Sequence, residues 1–224
     1  MSKPDSTKPF DAFEKHASEY DAWYDKYKPA YESELLALKQ FLPAHPEKLR
    51  ALEIGVGTGR FASPLGIGYG IEPSKAMAVF AKRRGIEVVQ GIAEALPFET
   101  QTFDLILIVT ALAFFTDPAQ GLKETARVLI PGGQLIIGML DRDSPLGQYY
   151  VAKQKESRFS SGARFLSAAE VSGLLAGLGY EKLESCQTLS GIPEELEEVE
   201  MPKRGTGKGG FAVLSARKPL NRTF

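Results

Sequence analysis

The sequence contains little cysteine and little histidine. Among its 224 residues there are one cysteine, Cys186, and two histidines, His16 and His45. A single cysteine cannot form an internal disulfide, and no His/Cys/Asp cluster has the spacing of metal ligands. The two histidines also give no Ser-His-Asp arrangement. The composition therefore predicts neither a disulfide scaffold, nor a metal site, nor a hydrolase triad.

The sequence has neither an excess of charge of one sign nor a long hydrophobic run. The formal net charge is −1 and the pI is about 6.2, whereas a nucleic-acid-binding domain usually has a basic face and a high pI. The longest apolar run, 105–115, is shorter than the ~20 residues of a membrane span. Residues 1–5 are polar and lack the apolar core of a signal peptide. We therefore expect a soluble, cytoplasmic protein that binds neither nucleic acid nor a membrane.

The apolar content of 43% is enough for one sizeable core. Aromatic residues recur at helical spacing between Phe10 and Leu42, and Pro29 divides this segment into two predicted helices. We expect an N-terminal helical cap of residues 1–45 on a single domain of residues 46–224. Within that domain, the charged and glycine-rich segment 190–209 is predicted to act as a lid.

Glycine is concentrated in one turn. Residues 52–61 read LEIGVGTGRF, which predicts a strand, an acid at its end, a tight turn and the start of a helix. Glycines there allow positive φ and close approach of a ligand, which the amides of a helix N-terminus can face. The spacing from Gly57 to Ala62 fits the dinucleotide fingerprint G-x-G-x-x-G/A. The acid Glu53 suits a ligand that carries an ammonium group instead, so both interpretations stay open on these residues.

A second acid follows the next predicted strand. Residues 66–72 are an apolar segment that ends in Glu72, and one carboxylate can accept hydrogen bonds from both hydroxyls of a ribose. Further apolar strands at 86–90, 103–109 and 134–140 alternate with helical segments, which is typical of an α/β fold with a parallel sheet. Because ligands of such sheets bind beyond the carboxyl ends of the strands, the two acids predict a nucleotide-type cofactor at that edge.

Three stretches together resemble a known family. The pattern E-x-G-x-G-x-G from Glu53 resembles motif I of the class I S-adenosylmethionine-dependent methyltransferases, and residues 91–98 (GIAEALPF) and 126–133 (ARVLIPGG) resemble two further segments. Within that family, the chain resembles the type 11 group, whose members act on small molecules and are similar to the methyltransferases of ubiquinone and menaquinone biosynthesis. The resemblance implies a Rossmann-like, doubly wound α/β fold, with a seven-stranded sheet that is mostly parallel, its last strand antiparallel and helices on both faces.

This resemblance also implies S-adenosyl-L-methionine as the cofactor and a set of residues that bind it. The first acid and the glycine turn would hold the methionine end, the second acid the ribose and the alanine of GIAEALPF the adenine. The implied cofactor-binding residues are Glu53, Gly55, Gly57, Gly59, Glu72, Pro73, Ala93, Glu94 and Thr110, with Tyr20 or Trp23 beside the sulfonium. A ring there would add a cation–π contact of ~0.5–2 kcal/mol. For Glu94 a capping or surface role is an equal alternative.

The residues after the fourth strand bear on the methyl acceptor. Methyltransferases that act on the amino groups of bases or of glutamine usually carry Asn/Asp-Pro-Pro-Tyr/Phe there, whereas this chain has TALA at 110–113. We therefore expect a small-molecule acceptor. In-line methyl transfer depends mainly on positioning, and only a protonated acceptor needs a general base. The candidates for that base are Tyr20, Asp141, Asp143 and Tyr149.

Two other functions stay open on the sequence. One is a non-catalytic protein that binds S-adenosylmethionine, because no general base can be identified. The other is an NAD(P)-dependent oxidoreductase, because the glycine spacing also fits a dinucleotide site. The sequence does not indicate an oligomeric state.

Overall fold

Strands and helices alternate along most of the chain. The structure is a computed structural model and describes residues 10–220. The α-helices are α1 (Asp11–Lys26), α2 (Lys28–Lys39), α3 (Lys75–Arg83), α4 (Pro118–Val128), α5 (Pro145–Lys153) and α6 (Ala168–Gly177). The strands are β1 (Ala51–Ile54), β2 (Tyr69–Glu72), β3 (Glu87–Gln90), β4 (Phe103–Val109), β5 (Leu129–Leu140), β6 (Glu181–Thr188), β7 (Lys203–Arg204) and β8 (Phe211–Arg217). Within residues 10–220, no helix is both long and apolar enough to cross a membrane.

All strands lie in one sheet, in the order β3-β2-β1-β4-β5-β8-β6-β7. The pairs formed among β1 to β5 are parallel, and β8 runs antiparallel to both β5 and β6. The predicted doubly wound α/β fold with a reversed last strand is confirmed. The predicted count of seven strands is one too low, because the two-residue β7 pairs with β6 at the edge of the sheet. So short a strand has no periodic signal in the sequence.

The central strand β4 explains why the protein has a core on each face of the sheet. Leu105 and Leu107 join a cluster with residues of α2, whereas Ile106 and Ile108 join a second cluster with residues of α4 and α6. All four side chains are fully buried. Successive residues of a strand point to opposite faces, so an unbroken apolar strand needs helices on both sides.

The two N-terminal helices pack against the sheet as a cap. Pro29 lies in the first turn of α2, where a missing N–H costs nothing, so the predicted division into two helices is confirmed. Asp21 of α1 forms ion pairs with Arg60 at 2.8 Å and Arg84 at 2.9 Å. Burial alone would raise the pKa of Asp21, but the hydrogen bonds from these two arginines lower it to about 2. The cap is therefore fastened to the turn that follows β1.

The helix predicted after the glycine turn is absent. The segment after the glycine turn forms only a 3₁₀ turn at Ser63–Leu65, because Pro64 has no N–H to donate and Gly66 adopts φ +71°. The acidic segment 193–200 likewise forms only a 3₁₀ turn at Pro193–Glu195. In contrast, α6 begins with a capping box that Ser167 and Glu170 form.

The segment 190–209 is held to its neighbours by backbone amides. The amide of Glu200 donates to the hydroxyl of Ser33 at 2.8 Å, and the amides of Lys208 and Gly209 both donate to the Gln187 side chain at 2.7 Å. The lid function stays a prediction, as does the domain boundary after residue 45. Residues 1–9 of the predicted cap and residues 221–224 of the predicted main domain lie outside the described residues.

Candidate active site

The glycine turn lies between the ends of three neighbouring strands. Gly55 adopts φ +72°, and a Cβ at this position would lie 2.4 Å from the Cβ of Ala111, beyond β4. The amides of Gly55 and Val56 donate to the carbonyl of Ile71 in β2, at 2.9 and 3.1 Å. The expectation that free amides of a helix N-terminus face the ligand is therefore wrong, because these amides bond to β2 and no α-helix follows the turn. The glycines serve close approach instead.

Glu72, at the end of β2, places a carboxylate beside the turn. Its Oε2 accepts the amide of Gly57 and its Oε1 accepts the amide of Ser74, both at 2.9 Å. Burial raises the pKa of Glu72 to about 7, although these two hydrogen bonds oppose the rise. Each carboxylate oxygen has a second lone pair. The side chain is thus fixed in place and still has acceptor capacity for a pair of hydroxyls.

Glu53, at the end of β1, is a buried carboxylate that is only partly satisfied. The residue is 1% exposed, and its Oε2 has no hydrogen-bond partner among the described residues. Burial raises the pKa of Glu53 well above its usual range, and the nearby charge of Glu72 adds to the rise. A buried oxygen without a partner is costly, and an ammonium group next to it would remove that cost. The assignment of Glu53 to the amino group at the methionine end of S-adenosylmethionine stays a prediction.

A cavity lies over the carboxyl ends of β1, β2 and β4, and we call it the cofactor cavity. Eight of the predicted cofactor-binding residues line it, namely Tyr20, Gly55, Gly57, Glu72, Pro73, Ala93, Glu94 and Thr110. Three predicted residues do not. Gly59 packs against Ala81 and Ile86, Glu53 is buried and absent from the lining, and Trp23 lies in the neighbouring cavity described below. Phe10, Phe13 and Met77 also line the cavity and were not predicted to bind the cofactor.

The loop that carries Ala93 and Glu94 is held by α4. The carboxylate of Glu94 accepts the amide of Asp117 at 3.1 Å, so this acid both lines the cavity and contacts the first residues before α4. Arg127, near the end of α4, donates to the carbonyls of Leu96 at 2.9 Å and Phe98 at 2.8 Å. The two family-like stretches 91–98 and 126–133 are therefore parts of one support for the cavity wall.

A second, larger cavity lies beside the first, between the cap helices and the sheet. Its volume is about 780 Å³, within the range of small-molecule sites. We call it the aromatic cavity, because its walls include the rings of Phe13, Tyr20, Trp23, Tyr24, Tyr27, Phe114, Tyr150, Phe159, Phe165 and Phe211. Four residues, Phe13, Tyr20, Thr110 and Phe114, line both cavities. The two cavities therefore share a wall.

Tyr20 and Thr110 form the polar part of the shared wall. The hydroxyls of Tyr20 and Tyr24 share a hydrogen bond of 2.7 Å, and the Thr110 side chain is a further partner of Tyr20. Burial raises the pKa of Tyr20 to about 12, so its hydroxyl stays protonated at neutral pH. Thr110 adopts φ +55°, a strained conformation for a β-branched residue and one that is common at functional sites.

The other three candidates for a general base lie elsewhere, lining neither cavity. Asp141 is buried and accepts amide hydrogen bonds from Ala168 at 3.0 Å and Gly207 at 3.1 Å, so it fastens the start of α6 to the loop before β8. Asp143 is exposed and paired with Arg142. Tyr149 accepts a hydrogen bond from Lys153 at 2.8 Å. Within residues 10–220, no group of three or more His, Cys, Asp or Glu side chains is arranged to hold a metal ion.

Comparison with known proteins agrees with this site. Residues 52–137 match the family model described as a methyltransferase domain. An uncharacterized protein of Methanocaldococcus jannaschii is 46% identical, over 92% of this chain and 98% of its own. The demethylmenaquinone methyltransferase of Chlorobaculum tepidum is 31% identical over 46% of each chain. A crystal structure from Thermotoga maritima, described as a SAM-dependent methyltransferase and possible histamine N-methyltransferase, is 43% identical and superimposes with a TM-score of 0.89, covering 94% of this chain and 99% of that one.

The match of fold, glycine turn and sequence over nearly the full length identifies both family and cofactor. The carboxylate of Glu72, which lines the cofactor cavity and has acceptor capacity for two hydroxyls, fits the ribose of S-adenosylmethionine as well. The chain belongs to the class I S-adenosylmethionine-dependent methyltransferases, of the methyltransferase type 11 group, and uses S-adenosylmethionine as its cofactor.

Proposed function

We propose that this methyltransferase acts on a small organic molecule that binds in the aromatic cavity. The observation that carries the proposal is the wall that the two cavities share. When bound, S-adenosylmethionine supplies an electrophilic methyl group on its sulfonium. An acceptor in the aromatic cavity lies on the far side of Tyr20 and Thr110 from the glycine turn, and so approaches the methyl group from that side.

The residues of the site act by holding and orienting. Glu53, Glu72 and the loop at Ala93 bind the methionine, ribose and adenine parts, and the ring of Tyr20 lies at the junction. In-line displacement requires the attacking lone pair, the methyl carbon and the sulfur to be aligned, and most of the acceleration comes from that alignment. With the cofactor bound, the new bond to the methyl carbon would form as the carbon–sulfur bond breaks, and the electron pair of that bond would stay on sulfur. The apolar walls keep water away from this line.

The relatives and the cavity size support a small acceptor. Two of the similar proteins are named for small molecules, one as a demethylmenaquinone methyltransferase and the other as a possible histamine N-methyltransferase. A cavity of about 780 Å³ can enclose a molecule of that size. A folded macromolecule could present only one extruded side chain or base to it.

A substitution that fills only the aromatic cavity tests the proposal. Ala113 lines that cavity and not the cofactor cavity, so Ala113→Phe should lower acceptor turnover at least about tenfold while leaving the Kd of S-adenosylmethionine unchanged. Ala169→Phe is the matched control, because Ala169 is exposed on α6. Calorimetric titration with S-adenosylmethionine, NAD and NADP gives the binding data, and isotope-labelled methyl transfer to a panel of small acceptors gives turnover. Full turnover by Ala113→Phe would contradict the proposal.

A further inference from the structure

The aromatic cavity contains a buried acid that neither the cofactor site nor the fold uses. Glu34 of α2 lines the cavity and is 7% exposed. Its carboxylate makes no hydrogen bond or ion pair with any described residue, although its charge acts on the surrounding hydroxyls of Tyr20, Tyr24, Tyr31 and Tyr150. An acid on a helix is normally solvated, so this one is exceptional.

Leaving this carboxylate buried is costly. Burial, with no other contribution, raises the pKa of Glu34 to about 8. A buried charge without a partner destabilises a fold, and an apolar residue of similar size would be cheaper to bury. In the interior of the cavity, a cation from outside the chain would remove the cost by pairing with the carboxylate.

The basic side chains of the cavity do not neutralise Glu34. Lys26 and Arg158 are the only Lys or Arg side chains in the described lining. Arg158 is paired with Glu19, and the Lys26 ammonium lies 4.8 Å from the centre of the Tyr27 ring. No basic side chain of the described lining therefore pairs with Glu34, and aromatic faces, which attract cations, surround it.

We propose that the acceptor is an organic amine, whose ammonium group is bound by Glu34 and by the tyrosine rings around it. The proposal rests on the function proposed above and specifies its substrate class. The ammonium donates hydrogen bonds to the Glu34 carboxylate, and the apolar part of the acceptor packs against the remaining rings. Pairing with a cation favours the ionised carboxylate, so the acid and the ligand are charged together when the amine binds. Methylation of that nitrogen requires one ammonium proton to pass to the Glu34 carboxylate first, which frees the nitrogen lone pair for attack and leaves the acid neutral.

The chain has one tryptophan, Trp23, and it lies in the wall of this cavity. Its fluorescence therefore reports on occupancy without any need for turnover. The probes are three amines, benzylamine, 2-phenylethylamine and 1,5-diaminopentane, together with 2-phenylethanol, in which a hydroxyl replaces the amino group of 2-phenylethylamine. In the wild-type protein, at least one of the three amines should bind, and 2-phenylethylamine should bind about tenfold or more tightly than the alcohol, because only the amine forms the charged hydrogen bond.

Glu34→Gln keeps the size of the side chain and removes its charge. This variant should lose the amine preference, with the affinity for the alcohol unchanged. The control is Glu32→Gln on the same helix, because Glu32 lies outside the cavity lining and is partly exposed beside Lys28. The control should bind all the probes as the wild type does. Unchanged S-adenosylmethionine affinity, measured by calorimetry, shows that each variant is folded.

Equal affinity for 2-phenylethylamine and 2-phenylethanol in the wild type, or an amine preference that survives in Glu34→Gln, would overturn the inference. So would the failure of every amine to perturb Trp23. These results are distinct from failure of the proposed function. Methylation of a neutral small molecule would support the proposed function and contradict recognition of an amine by Glu34. Amine binding that perturbs Trp23, without methylation of any small molecule, would support the amine site and contradict the proposed function.

Discussion

Replacing Glu72 should weaken cofactor binding in a way that the geometry specifies. In the wild type, both carboxylate oxygens already accept backbone amides, from Gly57 and Ser74, at 2.9 Å. Glu72→Gln would turn its NH₂ group toward one of these amides, so that two donors face each other, and it would also remove the charge that the ribose hydroxyls need. Glu72→Ala removes the acceptor altogether.

The size of the effect follows from those two hydroxyls. A hydrogen bond to a charged group contributes ~1.5–3 kcal/mol, and ~1.4 kcal/mol corresponds to a tenfold change in affinity. Loss of one such bond weakens S-adenosylmethionine binding about tenfold, and loss of both weakens it about a hundredfold or more. We therefore expect at least a tenfold increase in Kd for either variant.

The same residue should make cofactor binding depend on pH. Burial raises the pKa of Glu72 to about 7 in the free protein. Hydroxyl donors favour the ionised carboxylate, so the pKa must fall when the cofactor binds. Below neutral pH, binding therefore releases a proton, and affinity should rise between about pH 6 and pH 8 and then level off. In Glu72→Gln, neither this proton release nor this rise of affinity with pH should occur.

Isothermal titration calorimetry tests both effects. Titrations in buffers of different ionisation enthalpy give the proton release together with Kd. Glu87→Gln serves as the control, because Glu87 is an exposed acid on the neighbouring strand β3. If Glu72→Gln at about pH 8 bound S-adenosylmethionine within about twofold of the wild type, the assignment of Glu72 to the ribose would be refuted.

Three further predictions concern stability. Gly55→Ala, with its Cβ forced to 2.4 Å from a neighbour at φ +72°, should lower Tm and cofactor affinity, whereas Gly68→Ala, with nothing within 4 Å, should change neither. Asp21→Asn should cost about 1–3 kcal/mol of unfolding free energy in urea titrations, whereas Asp25→Asn, on a carboxylate that is 71% exposed, should change little. The pKa of Glu34 is raised from 4.5 to about 8, so its contribution to stability is present below about pH 4.5 and is lost as pH rises through 8. Glu34→Gln should flatten this part of the plot of Tm against pH. Parallel plots for the wild type and the variant would contradict the raised pKa of Glu34.

The sequence predicts those parts of the fold that depend on neighbouring residues. Pro29, which divides two helical segments, and the unbroken apolar strand β4 each give a local signal, and both predictions are confirmed. Glu72 was located by the rule that ligands bind at the carboxyl ends of parallel strands, and the structure places it in the cofactor cavity.

Features that depend on distant partners are not predictable in this way. Asp141 follows a strand of the sheet, as an active-site acid would, but its carboxylate accepts amide hydrogen bonds from residues 27 and 66 positions away and so has a structural role. Glu34 has the appearance of an ordinary acid on a helix surface, because only tertiary packing brings Tyr150 and Phe159 over the same cavity. Periodicity in a single element carries no information about such packing.

The most direct test of the account follows the methyl group itself. The protein is incubated with S-adenosylmethionine that carries a deuterated methyl group, in parallel with the small-molecule fraction and with the macromolecular fraction of a cell extract, and products are identified by mass spectrometry. We predict that the label enters a small amine in the first fraction, and that Ala113→Phe lowers this signal at least about tenfold. Label found only on protein or nucleic acid would contradict the account.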